Sequence, residues 1–198
     1  MNIGILASHF GSTLQAIIDA HERGRLRAVP RVVISNNSSS EALKRAERAG
    51  LQTRHLSLKT HPVPGALDRA IVDTLEAAEV EVVVLAGYMK KLGADVIERF
   101  SGRILNTHPA LLPKFGGQGM YGMKVHEAVI RAGEKESGVT IHVVDDEYDT
   151  GPVLAQRRVA VLPEDDAESL AERVKEVERE FLVETLDRLA TGELKFPN

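Results

Sequence analysis

Val80-Glu81-Val82-Val83-Val84-Leu85-Ala86 is the stretch that settles the fold class. It is short, almost continuously apolar and rich in β-branched residues. That is the pattern of a strand buried on both faces of a parallel sheet. Parallel strands need helical crossovers between them, and the flanking sequence supplies them. Upstream, the spacing predicts a helix over Ala66 to Ala78 and a strand within Leu51 to Leu58. Before those come a helix capped near Ser40 and stopped at Gly50, and a strand over Arg31 to Ser35. At the start, Ile3 to Ala7 reads as a strand and Ser8 to Ser12 as a turn. Leu14, Ile17, Ile18 and His21 mark a helix face that ends at Gly24. Ser12 and Gln15 have the spacing of a capping box. Downstream, Gly87 to Gly93 reads as a loop, Ala94 to Phe100 as a helix and Arg103 to Leu105 as a strand. This alternation predicts a doubly wound, mostly parallel α/β sheet.

After Pro113 the pattern changes. Phe115 to Gly122 holds four glycines, which suits a mobile loop or close backbone contacts. Val125, Ala128, Val129 and Ala132 mark a helix ending at Gly133. Gly138 to Val144 alternates as a strand, Asp145 to Pro152 is an acidic turn, and Val153 to Leu162 completes a C-terminal hairpin. Asp165, with Glu168 three residues on, is expected to cap a long last helix. Its apolar face is Leu170, Val174, Val177, Phe181, Leu182, Leu186 and Leu189. The whole chain, 1–198, reads as one domain.

Composition narrows the function. With 25 basic and 29 acidic residues the net charge is -4, which argues against a nucleic-acid partner. A single small phosphate is still allowed, because it needs only local amides and a cation. No cysteine is present, so disulfides and Cys-zinc sites are excluded. The N-terminus lacks the basic and apolar regions of a signal peptide. No stretch approaches the ~20 apolar residues of a membrane span. The expected location is the cytoplasm, and monomer and homodimer both remain open.

The chemistry concentrates in Asn106-Thr107-His108-Pro109-Ala110-Leu111-Leu112-Pro113. Asn106 and His108 fall where a sheet strand would end, the usual position of ligand-binding groups in this architecture. At alternate positions of an extended segment they point the same way. An amide and an imidazole converging on one oxygen could stabilise an oxyanion developing at a carbonyl. A turn-forming Asn beside an ordinary loop His fits the spacing as well. Asp149 lies on a turn that the sheet could bring beside His108, where a carboxylate would raise and orient the imidazole. Asp-Thr-Gly-Pro is equally good turn sequence without any such role. Gly11-Ser12-Thr13 is a weak phosphate signal at a helix start, and matches neither the P-loop nor the dinucleotide fingerprint. Lys175 and Glu178 share a face of the last helix at i, i+3. The histidines at 9, 21, 55, 61, 126 and 142 show no metal-ligand spacing and read as surface or core residues.

Taken in order, several of these stretches resemble the folate-dependent formyltransferases, in their glycinamide ribonucleotide branch. They are Gly11-Ser12-Thr13-Leu14-Gln15-Ala16-Ile17-Ile18, Val83 to Met89, Leu105 to Lys114 and Asp146 to Val153. The resemblance covers essentially the whole chain and implies a Rossmann-like formyltransferase fold. It implies transfer of a formyl group from 10-formyltetrahydrofolate to the amine of glycinamide ribonucleotide, in purine synthesis, without a metal. It assigns catalysis to Asn106, a protonated His108 and Asp149. It places the substrate at Gly11, Ser12, Thr13, Gly87, Pro109, Lys175 and Glu178. It places the folate at Met89, Lys90, Lys91, Leu92, Asn106, Val144 and Asp146. The chain departs from many relatives at His9, Phe10 and Thr13, and at Pro64 and Lys90, where arginines are common. The glycine-rich run from Gly116 to Gly122 also replaces a commoner Pro-Gly loop.

Two other readings compete. A formyltetrahydrofolate hydrolase would use the same trio on water. Such relatives carry an extra N-terminal regulatory domain, whereas this sequence starts at the first strand, so the transferase is expected. A non-catalytic nucleotide-binding module would account for the sheet and the Gly-Ser turn, but not for the trio.

Overall fold

The computed structural model describes residues 1–197. The chain forms β1 (Asn2–Leu6), α1 (Ser12–Glu22), β2 (Val29–Ser35), α2 (Glu41–Arg48), β3 (Gln52–His55), α3 (Ala66–Ala77) and β4 (Val82–Leu85). It continues with α4 (Ala94–Arg99), β5 (Ile104–His108), α5 (Met123–Arg131), β6 (Glu136–Val143), β7 (Val153–Ala160) and α6 (Ala167–Ala190). The strands make one seven-stranded sheet in the order β3-β2-β1-β4-β5-β6-β7. β1 to β5 are parallel, and β6 and β7 add on as an antiparallel hairpin. The chain places β2 and β3 on one side of β1, then crosses to place β4 on the other. Between β1 and β4 lies the topological switch point, where open α/β sheets bind ligands.

The apolar run that signalled the sheet behaves as its pattern requires. Val82 and Val84 face a core shared with Leu14, Ile17, Leu170, Val174 and Leu182, from α1 and α6. Val83 and Leu85 face the opposite core, with Ile71, Leu75, Val96 and Phe100 from α3, α4 and the residue after it. All four strand residues are buried, and burying a Val or Leu fully contributes about 1.5–3 kcal/mol. Among the described residues no helix is long and apolar enough to cross a membrane.

Three local expectations change. β5 does not stop at Leu105 but runs through His108. β6 pairs with it, Asn106 opposite His142, Thr107 opposite Ile141 and His108 opposite Thr140. A partner strand satisfies the backbone, so polar side chains do not end the strand. The cap of α6 is Asp166 rather than Asp165, and its box partner is Ser169 rather than Glu168. Asp165 instead accepts from the Leu162 amide and the Arg173 guanidinium. Finally, α1 has no capping box. Its N-cap is Gly11, in the left-handed region at φ 70°, with no side-chain cap. The Gln15 side chain is taken up by Asp19 and Arg45.

Candidate active site

Strand alternation places Asn106 and His108 on one face of β5, and the β5–β6 register sets His142 and Thr140 across from them. Asp149 reaches the same point from the turn between β6 and β7. Its φ of 60° is a conformation that Asp tolerates better than most residues. Its carboxylate stands between two imidazoles, with Oδ2 3.4 Å from His108 Nδ1 and Oδ1 3.5 Å from His142 Nε2. Asn106 Nδ2 is 3.1 Å from His142 Nε2. The Gly117 amide donates to Asp149 Oδ2 at 2.9 Å, and His108 Nε2 donates to the Phe115 carbonyl at 2.7 Å.

These contacts set the charges. Burial holds the His108 pKa below its ordinary value, against Asp149 and the Phe115 carbonyl, which pull it up. The expectation that Asp149 raises His108 is right about that one interaction. It misjudges the sum, because the ring is only 3% exposed and desolvation is larger. Burial would raise the Asp149 carboxyl, but His142, His108 and the Gly117 amide together keep it low. In the free protein the carboxylate is charged and His108 is reluctant to be. Both nitrogens of His108 nevertheless face oxygens, so the ring is ready to accept a second proton when negative charge appears nearby.

Neighbouring groups hold this cluster in place. The buried Thr140 hydroxyl donates to Ala110 O at 2.6 Å and accepts from the Leu112 amide at 3.0 Å. That fixes the turn after His108. The buried Ser8 hydroxyl donates to Asn36 at 2.6 Å and accepts from the Met89 amide at 2.8 Å. It thereby ties together the segments that leave β1, β2 and β4.

At the start of α1 the backbone is arranged for an anion. The Ala42 amide donates to His9 O at 3.0 Å, and Arg45 Nε donates to Phe10 O at 2.9 Å. Those carbonyls are drawn toward α2, and the first-turn amides of α1 are left without a side-chain cap. Uncapped amides and the positive end of the helix dipole attract a phosphate. The Thr13 hydroxyl is not part of this cradle. It donates to Glu178 Oε1 at 3.3 Å, and Thr107 donates to the same oxygen at 2.8 Å. Burial pushes the Glu178 carboxyl up, and the two threonines oppose it.

One cleft of about 760 Å³ gathers most of the expected residues. Asn106, His108 and Asp149 line it, as do Gly87, Pro109, Met89, Lys90, Lys175 and Glu178. Gly11, Ser12 and Thr13 do not line it, although Thr13 is bonded to the cleft residue Glu178. Lys175 pairs with Glu172 at 2.6 Å rather than with Glu178. Four residues expected at the folate do not line the cleft. Leu92 is buried in the α3–α4 core, Val144 packs against that core, and Asp146 is exposed. Lys91 lies over the ring of Tyr148, 5.5 Å from its centroid, and only Tyr148 reaches the cleft.

Sequence reading missed His142, Thr140, Thr107 and Ser8. For the first two, the shared strand face was readable but not what it faces. Alternation from Gly138 to Val144 puts Thr140 and His142 on one face, and only the pairing with β5 was needed to place them.

Known proteins are similar to this chain over nearly its whole length. The formyl transferase family profile matches residues 1–186. A phosphoribosylglycinamide formyltransferase of Escherichia coli is 36% identical, over 98% of this chain and 90% of its own length. A chloroplastic protein of the same name from Vigna unguiculata is 41% identical over 94% of this chain, which spans 60% of that relative's length. The crystal structure of glycinamide ribonucleotide transformylase 1 from Symbiobacterium toebii superposes with a TM-score of 0.90 at 35% identity, covering 100% of this chain and 91% of that one. With the family profile running from the first strand well into the last helix, and with relatives this similar in both sequence and fold, the chain belongs to the formyl transferase family.

Proposed function

We propose that this chain transfers the formyl group of 10-formyltetrahydrofolate to the amine of glycinamide ribonucleotide, a step of purine synthesis. The observation that carries the reading is the Asp149 carboxylate held between His108 and His142, beside Asn106. The relatives' names supply the acceptor and the group transferred, and the folate donor is what the resemblance to the family implies. The acceptor phosphate sits on the amides of Gly11, Ser12 and Thr13, near Lys175. Glu178 faces the middle of the acceptor, and Met89 and Lys90 flank the folate.

The acceptor amine attacks the formyl carbon, forming a C–N bond and moving the carbonyl electron pair onto oxygen. Asn106 donates to that oxyanion, as does the Nε2–H of His108, whose ring is charged by a solvent proton taken up at Nδ1 beside Asp149 and returned to solvent when the intermediate collapses. The resting His108 is disposed to be neutral, so it gains charge as the oxyanion forms. Its Nε2 reaches the oxyanion once the Phe115 carbonyl has moved aside. Gly116, Gly117 and Gly119 give that segment the freedom. Asp149 stabilises the imidazolium and, through a water, relays the amine proton to the folate nitrogen. The bond from carbon to that nitrogen then breaks, leaving formylated acceptor and tetrahydrofolate. Stabilising charge that develops only in the transition state is usually the largest catalytic effect available.

Amine dependence is the test. Purified protein with 10-formyltetrahydrofolate should release tetrahydrofolate only when glycinamide ribonucleotide is present. Turnover that ignores the amine would mean a hydrolase, and no turnover would mean a binding module.

A further inference from the structure

His126, on α5, is 3% exposed, and its Nδ1 is enclosed without a hydrogen-bond partner among the described residues. Buried polar atoms are nearly always paired, so an orphan asks for an explanation. The ring lines the same cleft as His108, Lys175 and Glu178. With Nδ1 walled in, the Nε2 edge is the one that borders the cleft. An unpaired lone pair is tolerated better than an unpaired N–H, so the proton belongs on Nε2, facing the cleft. Burial, then Lys175 and His108, push the ring's pKa down to about 4, and it is neutral at physiological pH.

A neutral donor suits this position. A cation here would further oppose the charge that His108 must gain. An N–H without charge selects an oxygen acceptor by direction. α5 packs against α6, and Lys175 of that helix is close enough to act on the ring. We propose that His126 is a specificity-determining contact for the formyl acceptor, donating from Nε2 to a sugar or amide oxygen between its amine and its phosphate. The inference rests on the reading above.

His126→Phe and His126→Gln, made in the full chain, test it in steady-state assays with glycinamide ribonucleotide and 10-formyltetrahydrofolate. The Phe variant should raise KM for glycinamide ribonucleotide about five- to tenfold, the size of one neutral hydrogen bond. KM for the folate should not change. Competitive inhibition by inorganic phosphate should not change either. The Gln variant, which keeps an N–H, should recover most of the loss. The free Phe variant should melt no lower than the parent, since it removes an unpartnered polar atom. Unchanged acceptor KM overturns the proposal. So do parallel losses for both substrates with a lower melting temperature, which mean a packing role. Weakened phosphate inhibition moves the contact to the phosphate and overturns the sugar or amide assignment. If the Phe variant does not fold, nitrogen-15 histidine spectra of the parent decide. The His126 Nε2 signal should shift with glycinamide ribonucleotide and not with folate, and no shift overturns the proposal. A parent that never turns over glycinamide ribonucleotide fails the underlying reading, visibly and before any substitution is made.

Discussion

His108 is where burial and charge compete. Desolvation disfavours the imidazolium, while Asp149 and the Phe115 carbonyl favour it. If the protonated ring is what holds the oxyanion, His108→Ala should lower kcat by about 10²–10³-fold, the usual cost of one oxyanion donor. The melting temperature should move by only a few degrees, because the ring borders the cleft. A kcat within a fewfold of the parent would falsify the assignment. Asp149→Asn tests the same balance from the other side. It removes the main influence raising His108, so the pKa falls further and the protonated ring is scarcer at any given pH. The descending alkaline limb of the kcat–pH profile should therefore shift to lower pH. Measured profiles that superpose after scaling would show that Asp149 does not set the charge of His108.

Among the elements, the start of α1 does its work through backbone alone. Gly11 sits at φ 70°, and an added Cβ would come within 2.9 Å of Ala42 Cα. Gly11→Ala should thus displace the turn from α2 and misdirect the amides. We expect KM for glycinamide ribonucleotide to rise about tenfold as the amides lose their aim, which corresponds to about 1.4 kcal/mol. Folate affinity by calorimetry should be unchanged, and equal weakening of both ligands would refute a local anion site. The sequence made the turn and helix legible but misread its cap. Ser12 and Gln15 match the capping spacing, and only the fold shows Arg45 drawing Gln15 away. The same limit applies at β5. Asn106 and His108 were readable as a pair because alternation is local, and Asp149 was readable as a candidate because it lies on an acidic turn that the sheet could bring beside His108. His142 was not. Its role depends on the β5–β6 register, a long-range pairing that one strand's composition does not encode. Ser8 and Thr107 are single hydroxyls whose partners lie tens of residues away, so no short window contains the signal. Charge balance at His108 was lost for a similar reason, since burial belongs to the assembled site.

Across the whole molecule, a polar cluster set into a sheet this apolar has a cost that depends on pH. His126 has a pKa near about 4 when folded and about 6.5 when unfolded. Its folded value is depressed, and for a histidine that means the unfolded chain takes up the proton first as pH falls. Stability contributed by the neutral ring is complete above about pH 6.5, declines as pH drops, and is gone near pH 4. Lys175 on α6 and His108 on β5 both face the ring and act in the same direction. At full effect the shift corresponds to roughly 3 kcal/mol, a large share of a domain's usual 5–15 kcal/mol. Burial of His108 adds a loss of the same sign. Asp149 contributes in a lower window, because its depressed carboxyl is protonated only well below the ordinary range. Urea unfolding at pH 7 and pH 4.5 should therefore show a marked drop for the parent and a smaller one for His126→Phe, which has no proton to gain there. Equal drops for the two proteins would mean that His126 is not held neutral by the fold, and that the acid sensitivity of the site lies with His108 and Asp149 alone.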